Sequence, residues 1–360
     1  MKYDFLIIGV GLAGSVLAER LHLKGRKVLV IDKRNHIGGN CYDYYDKVGV
    51  LVHAYGPHYF RTNSKEVKNY LSQFTAWRQC EYRIRSYVNG KLYSFPINRN
   101  TLNNFFNLNL KTKKEAEDFL ATKRIKIKKP KNAEEQVLTT LGKELYEAFF
   151  KNYTVKQWGL DPKDLDASVT CRIPFRTNTD DRWVSDEFQA MPRDGYFELF
   201  KNLLKGIEVS LNTDFKEIRN KIKYNKLIYT GPIDEFFDYK HGKLPYRSLK
   251  FKFESYDKDF YQDWLQINYP NDHDFTRIVE VKHVTGQKIS KTTIVKEYPC
   301  AVGNPYYPIP NSKNRKLYLK YKLESDKLKN VYFTGRLALY KYLNMDQVVK
   351  TSLDLFQNLN

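Results

Sequence analysis

Near its start the chain reads D-F-L-I-I-G, then G-L-A-G-S-V-L-A-E-R-L-H-L-K, then K-V-L-V-I-D. Two short apolar runs flank a segment whose apolar residues recur three and four apart. Tyr3 to Asp32 therefore predicts strand, glycine turn, helix, strand. Near the other end N-V-Y-F-T-G-R-L-A, Asn330 to Ala338, again runs an apolar strand into a glycine, and N-M-D-Q-V-V-K-T-S-L follows with helical spacing. Between these ends, the stretch from about Thr75 to Phe150 is expected to be a helical insert. Its A-E-E-Q-V-L-T-T-L-G-K-E-L-Y-E-A-F-F carries apolar positions at helical spacing with acids early. From Leu249 to Val302 the alternation in T-R-I-V-E-V-K-H-V and T-T-I-V-K-E-Y predicts antiparallel strands. No internal repeat is visible.

Gly9, Gly11 and Gly14 form G-x-G-x-x-G after a strand and at the opening of a helix, where a βαβ dinucleotide fold places it. Gly9 permits the tight turn, Gly11 lets backbone approach a pyrophosphate, and Gly14 lets the helix pack closely. The helix N-terminus then points at the phosphates. Asp32, ending the second strand, is expected to accept hydrogen bonds from the adenosine ribose. After it comes K-R-N-H-I-G-G-N, and the second glycine pair, Gly38 and Gly39, suits a flavoprotein better than a nicotinamide dehydrogenase. FAD is the expected cofactor, and the late strand–turn–helix is expected to bring a helix N-terminus to the remaining flavin phosphate and ribityl chain.

The fold class implied by these patterns is α/β: a discontinuous Rossmann-like FAD-binding domain with a helical insert and an antiparallel β-sheet substrate domain. The expected division is 1–74 FAD-binding, 75–150 helical insert and 151–193 substrate domain, then 194–246 FAD-binding, 247–315 antiparallel substrate sheet and 316–360 FAD-binding. Substrate is expected between the inserts.

Composition narrows the function classes. Against 61 Lys and Arg stand 41 Asp and Glu, a net charge of +20, and this surplus favours anionic partners: nucleic acid, anionic lipid or phosphorylated small molecules. The densest basic run, K-R-I-K-I-K-K-P-K from Lys123 to Lys131, reads as a solvated helix end and loop, with docking on a membrane or an anionic polymer as its alternative. The four cysteines, Cys41, Cys80, Cys171 and Cys300, form no C-x-x-C pair, so a structural zinc site or redox pair is not expected and no metal is implied. The chain starts without a secretory signal pattern, and no segment approaches the roughly 20 apolar residues of a membrane span. The expected location is cytoplasmic.

Several stretches together resemble bacterial UDP-galactopyranose mutase: D-K-R-N-H-I-G-G-N (Asp32 to Asn40), Y-T-V-K-Q-W-G (Tyr153 to Gly159), R-I-P-F-R (Arg172 to Arg176) and Y-T-G-P-I-D-E-F-F-D-Y (Tyr229 to Tyr239). L-P-Y-R-S-L (Leu244 to Leu249), F-T-R-I-V-E-V-K-H (Phe275 to His283), N-P-Y-Y-P (Asn304 to Pro308) and the terminal G-R-L-A…Y-K-Y extend the similarity, in order, over essentially the whole chain. The resemblance implies an isomerase that interconverts pyranose and furanose forms of a UDP-sugar. It implies active, reduced FAD whose N5 attacks the anomeric carbon, with UDP leaving from a flavin–sugar covalent adduct and returning after ring contraction. The furanose would serve surface polysaccharide, capsule or lipopolysaccharide. Peripheral membrane association and a homodimer are both compatible with this reading.

The resemblance also implies roles for individual residues. Arg176 and Arg277 match pyrophosphate-holding arginines, and Tyr307 and Tyr342 match tyrosines that donate to the same phosphates. Tyr153 and Trp158 match aromatics that frame the uridine pocket. Cofactor contacts carry over to Lys33 and Asn40 beside Asp32, to Arg247, to Gly335 and Arg336, and to Asn344 and Met345. His58 corresponds to a histidine near the flavin's reactive region.

Departures from the pattern bear on the sugar. In the stretch Y-G-P-H-Y-F-R-T-N, Arg61 stands where the family usually has a second histidine, and a longer, donor-only cation could bind an N-acetyl carbonyl, a carboxylate or another hydroxyl pattern. Phe188 stands for a common tyrosine, Arg193 and Asp194 replace small residues beside a mobile loop, and Leu343, Asn344 and Asp346 alter the segment beside the flavin. Tyr82 takes the place of an asparagine that reads uracil. UDP-galactose is the family default and UDP-N-acetylgalactosamine its competitor. A redox flavoenzyme of the amine oxidase or dehydrogenase class is the alternative, and a nucleic-acid partner is not expected.

Overall fold

The computed structural model describes residues 2–359. Its first sheet is parallel and five-stranded, in the spatial order Glu208–Ser210, Val28–Ile31, Lys2–Ile8, Lys223–Tyr229, Val331–Phe333. Three widely separated pieces of chain thus build one sheet. Val28–Ile31 is buried at every position, as expected of a strand covered on both faces, which is why it reads as an unbroken apolar run rather than an alternation. The helix Leu12–Leu23 after the first strand packs on the late helix Met345–Gln357, so the two ends of the chain close one domain. The strand order reverses between Lys2–Ile8 and Lys223–Tyr229, and a crevice outside the carboxyl ends at such a reversal is where open α/β sheets bind ligands.

The second sheet has seven strands, in the order Tyr307–Pro308, Tyr246–Tyr256, Thr292–Cys300, Arg277–Val279, Gln266–Asn268, Ile84–Val88, Lys91–Phe95. Pairing is antiparallel except where Gln266–Asn268 runs parallel to Ile84–Val88. The expected helical insert therefore begins later than Thr75. Trp77–Gln79, Ile84–Val88 and Lys91–Phe95 are strands, and the first helix of the region is Arg99–Phe106. Asn89 and Gly90 adopt φ of 50° and 79°, the left-handed pair of a tight hairpin turn. The period-two pattern on either side of that turn outweighs the helical composition of the residues beyond Phe95.

Helices Arg99–Phe106, Lys113–Lys123 and Ala133–Thr140 each begin at a side-chain cap, where Asn98, Thr112 and Asn132 accept an N–H three residues on. The basic run starts on the last turn of the second of these: Lys123 pairs with Glu144 at 2.7 Å, Arg124 pairs with Glu117 and donates to the Thr140 carbonyl, and the residues beyond form loop. Among the described residues no helix is long and apolar enough to cross a membrane, and no group of three or more His, Cys, Asp or Glu side chains is placed to hold a metal ion.

Candidate active site

Four loops meet at the carboxyl edge of the parallel sheet, and their backbones leave no room for side chains. Gly9 has φ +101°, and a Cβ there would overlap the Thr230 hydroxyl; a Cβ on Gly14 would overlap the Gly9 carbonyl oxygen. A Cβ on Gly39 would come 2.9 Å from the Cα of Gly11, and one on Gly335, with φ +84°, 3.3 Å from the Ala13 Cβ. The first glycine turn, the Gly38–Gly39 turn and the late Gly335 turn are therefore one backbone-lined cradle. Its shape suits a pyrophosphate, and the helix starting at Leu12 points its free N–H groups there. Asp32 ends the second strand with Oδ2 accepting the Val10 N–H and Oδ1 the Arg34 N–H, both at 2.9 Å. The carboxylate holds the cradle together and keeps lone pairs for a ribose. These residues fit the dinucleotide FAD.

The other predicted cofactor residues divide. Met345 lies 3.6 Å from Cys41 through their sulfurs, against the Gly39–Cys41 turn that contains Asn40, while Asn344 caps the helix that Met345 begins, in a capping box with Gln347, and lines the cavity. Lys33 is exposed and pairs loosely with Glu235 at 3.8 Å. Arg247 is elsewhere: its guanidinium donates to the Gln157 and Lys156 carbonyls and presses on Gly159, closing the C-terminus of the helix Asn152–Trp158.

A cavity of about 1060 Å³ opens between the seven-stranded sheet, the helices and the late segment 339–347, lined by Tyr153, Trp158, Arg172, Arg277, Tyr307 and Tyr342 among others. Tyr307 and Tyr342 stack at 6.1 Å, and Trp158 meets Tyr307 edge-on. Three guanidinium groups surround this pair. Arg172 lies 4.4 Å from the Tyr342 ring centre, Arg336 lies 5.1 Å from it and 5.7 Å from that of Tyr307 while donating to the Tyr306 carbonyl, and Arg277 comes from the antiparallel sheet. Burial keeps the Tyr307 phenol above its ordinary value. Loss of water around the hydroxyl pushes the Tyr342 phenol up too, although the residue is 42% exposed, but Arg172, Arg336 and Arg277 outweigh it and leave that phenol below its ordinary value. That is the signature of a site prepared for negative charge. Arg277 is held by Glu297, directly opposite it in the strand register, with Nη2 to Oε2 at 2.7 Å; the Glu297 side chain is fully buried. Sequence reasoning missed Glu297.

Two predicted substrate residues are not on the cavity. Arg176 turns away, donating to the Arg182 carbonyl at 2.7 Å and approaching Asp180 at 3.8 Å; Arg172, at the start of the same R-I-P-F-R stretch, takes the cavity position. Phe188 is buried in the strand Phe188–Pro192 against Phe60 and Trp77, under Lys68. The aromatic that the same segment offers the cavity is Trp183, stacked on Phe95. Arg61 does line the cavity, but its Nη1 is 2.7 Å from Asp186, so its charge is already matched from within the chain. Tyr82 lines it too and starts a buried relay: its hydroxyl donates to Gln266, whose amide donates to Asn268.

His58 sits on the loop after the strand Leu51–His53. Its Nδ1–H donates to the Gly56 carbonyl at 2.9 Å, which leaves Nε2 as the unprotonated nitrogen, and its backbone N–H donates to Nδ1 of His53. Burial first, then the charges of Arg336 and Arg277, hold His58 down at about 4; burial and His58 hold His53 at about 3. Both rings are neutral at physiological pH. A base depressed in the folded state contributes stability above its unfolded pKa and loses it as pH falls. The cost of His53→Asn in urea unfolding is accordingly expected to shrink by about 2 kcal/mol between pH 7.5 and pH 5; a pH-independent cost would assign His53 another tautomer or partner.

Comparison with known proteins agrees with this geometry. A family model described as UDP-galactopyranose mutase matches residues 148–342, and one described as an NAD(P)-binding Rossmann-like domain matches residues 7–74. A probable UDP-galactopyranose mutase of Klebsiella pneumoniae is 39% identical over 97% of this chain and 93% of its own; a dTDP-fucopyranose mutase of Escherichia coli is 38% identical over 98% and 97%. Among solved structures, a reduced UDP-galactopyranose mutase superposes with a TM-score of 0.81 at 16% identity, covering 99% of this chain and 95% of that one; a putative protoporphyrinogen oxidase of Exiguobacterium gives 0.69 at 11%, covering 99% and 98%. These two likenesses speak to fold, while the sequence matches speak to descent. With the glycine cradle, the antiparallel sheet and the arginine–tyrosine cavity in one chain, the protein belongs to the UDP-galactopyranose mutase family.

Proposed function

We propose that this FAD-dependent mutase interconverts the pyranose and furanose forms of a nucleotide sugar, UDP-galactose or a modified relative such as UDP-N-acetylgalactosamine, and that the furanose feeds surface polysaccharide. The observation that carries the reading is the stacked pair Tyr307 and Tyr342 among Arg172, Arg277 and Arg336, in the same chain as the dinucleotide cradle. Bound, reduced FAD would supply a nucleophilic nitrogen to the anomeric carbon. The chain's own part is to hold a diphosphate through departure and return. Arg172 and Arg277 provide the forked cations, and the two phenols provide donors without added charge. Trp158 and Tyr153 frame a base. The resemblance would set His58, neutral with Nε2 unprotonated, near the flavin's reactive region, where it could accept a hydrogen bond.

The relative named a dTDP-fucopyranose mutase makes the nucleotide and the sugar one question. The test is a panel of UDP- and dTDP-sugars with the enzyme oxidised or dithionite-reduced, followed by anomeric proton NMR. Ring-contracted product only after reduction is the expected result; amine-dependent oxygen uptake without such product would place the chain among redox flavoenzymes instead. Within the panel Arg172→Ala is expected to lower kcat/KM by roughly a hundredfold and Arg176→Ala by less than roughly threefold; the reverse order would return the phosphate role to Arg176. Arg61→His, by freeing Asp186, is expected to change the preference among sugars, and an unchanged ranking would remove Arg61 from the specificity account.

A further inference from the structure

The helix Ser312–Ser325 buries one face and leaves the other bare. Asn314, Tyr321 and Ser325 are buried, with Leu317 and Tyr318 packed beside Tyr321. On the opposite face Leu319 and Leu323 are 48% and 65% exposed. Four residues apart, they form a single apolar ridge. At 100° per residue Lys316 and Lys320 fall on one flank of that ridge and Arg315 and Lys322 on the other. Arg315, Lys316 and Lys320 are exposed, and among the described residues no carboxylate pairs with them. The two acids near the helix end are engaged: Glu324 pairs with Lys240 and Asp326 with Lys322. Beyond the helix, Lys327, Leu328 and Lys329 are exposed and continue the same composition.

We propose that this helix is a docking face for an anionic lipid surface, lying in the interface with Leu319 and Leu323 inserted and the lysines on phosphate headgroups. A basic face alone would fit any polyanion. An exposed leucine ridge between two basic flanks gains nothing from a polynucleotide backbone, but it gains burial in the headgroup and acyl boundary of a bilayer. The chain's net charge of +20 adds a long-range attraction to such a surface. Ser312, Arg315 and Tyr318 also line the cavity, so docking through this helix would set the cavity rim against the membrane. The inference rests on the helix alone and holds whichever sugar is the substrate.

The test is flotation of the flavin-loaded enzyme with vesicles of phosphatidylcholine, with or without phosphatidylglycerol. Binding to the anionic vesicles alone, weakened by salt, is expected. Leu319→Ser/Leu323→Ser and Lys316→Glu/Lys320→Glu are each expected to lower partitioning by roughly tenfold or more, with turnover of soluble nucleotide sugar unchanged. Absence of wild-type binding, or wild-type-like binding by the leucine variant, overturns the proposal, the latter because it would reduce the interaction to electrostatic adsorption. Light scattering supplies a further outcome: if the leucine variant converts a dimer to a monomer, the ridge is an interface between copies and the lipid assignment falls.

Discussion

Replacing Arg277 by alanine is expected to lower kcat/KM by roughly 100- to 1,000-fold and to destabilise the fold by about 3–5 kcal/mol. Both losses come from one arrangement. Arg277 stands opposite Glu297 across two antiparallel strands, with the carboxylate fully buried and the ion pair at 2.7 Å. Burial strips the Glu297 carboxylate of water, and removing the cation leaves that charge in the interior with no partner. The other side of the guanidinium faces outward: Arg277 lines the cavity, among Tyr82, Tyr153 and Tyr307. The two roles separate in a double variant. Arg277→Met/Glu297→Gln removes both charges and should recover most of the lost melting temperature, yet leave turnover as low as in Arg277→Ala. If turnover returned with stability, Arg277 would be a structural cation only, and the diphosphate would have to be held by Arg172, Arg336 and the phenols.

How much of the fold and site is legible in the sequence depends on how local each determinant is. The first glycine turn, Asp32 and the late strand–turn–helix are local patterns, and the parallel sheet that joins them follows from their apolar runs. The hairpin Ile84 to Phe95 is equally local, with Asn89-Gly90 at its tip, but the helical composition of its neighbours masks it. Arg172 and Arg176 flank the same three residues in a segment with little regular structure, so no periodicity says which one points inward. The only local signal is Asp180, four residues after Arg176 and ready to hold it. Glu297 leaves a trace as an acid at a position where T-T-I-V-K-E-Y alternates inward, which calls for a buried cation; naming Arg277 requires the strand register, which no single sequence reveals. Likewise Asp186, which matches Arg61 from 125 residues away, becomes visible only when the strand Phe60–Thr62 is paired with Phe188–Pro192.

The glycine turn permits a sharper test than loss of activity, because alanine at Gly14 and alanine at Gly49, which lies apart in the turn before the strand Leu51–His53, differ in mechanism. At Gly14 a Cβ would overlap the Gly9 carbonyl oxygen and lie 3.3 Å from the Ile7 side chain. The obstacle is backbone, and Gly9 is itself held at φ +101° by its N–H bond to the Ile31 carbonyl at 2.8 Å. The helix Leu12–Leu23 must therefore move off the sheet and carry its N-terminal N–H groups away from the phosphates. Gly49 also has a left-handed φ, +84°, but open space around it, with nothing within 4 Å of the added atom. Gly49→Ala is expected to cost about 1–2 kcal/mol of backbone strain and to retain its yellow flavin. Gly14→Ala is expected to cost about 1–3 kcal/mol from overpacking and, beyond that, to be purified without flavin or to lose it on gel filtration. Flavin-to-protein absorbance ratios and melting curves of the two variants, each with and without added FAD, separate these effects: added FAD should raise the melting temperature of Gly49→Ala and leave that of Gly14→Ala unmoved. Equal flavin content in the two would mean that the close approach of helix to strand does not govern cofactor binding, and that the Gly38–Gly39 and Gly335 turns hold the dinucleotide without the first.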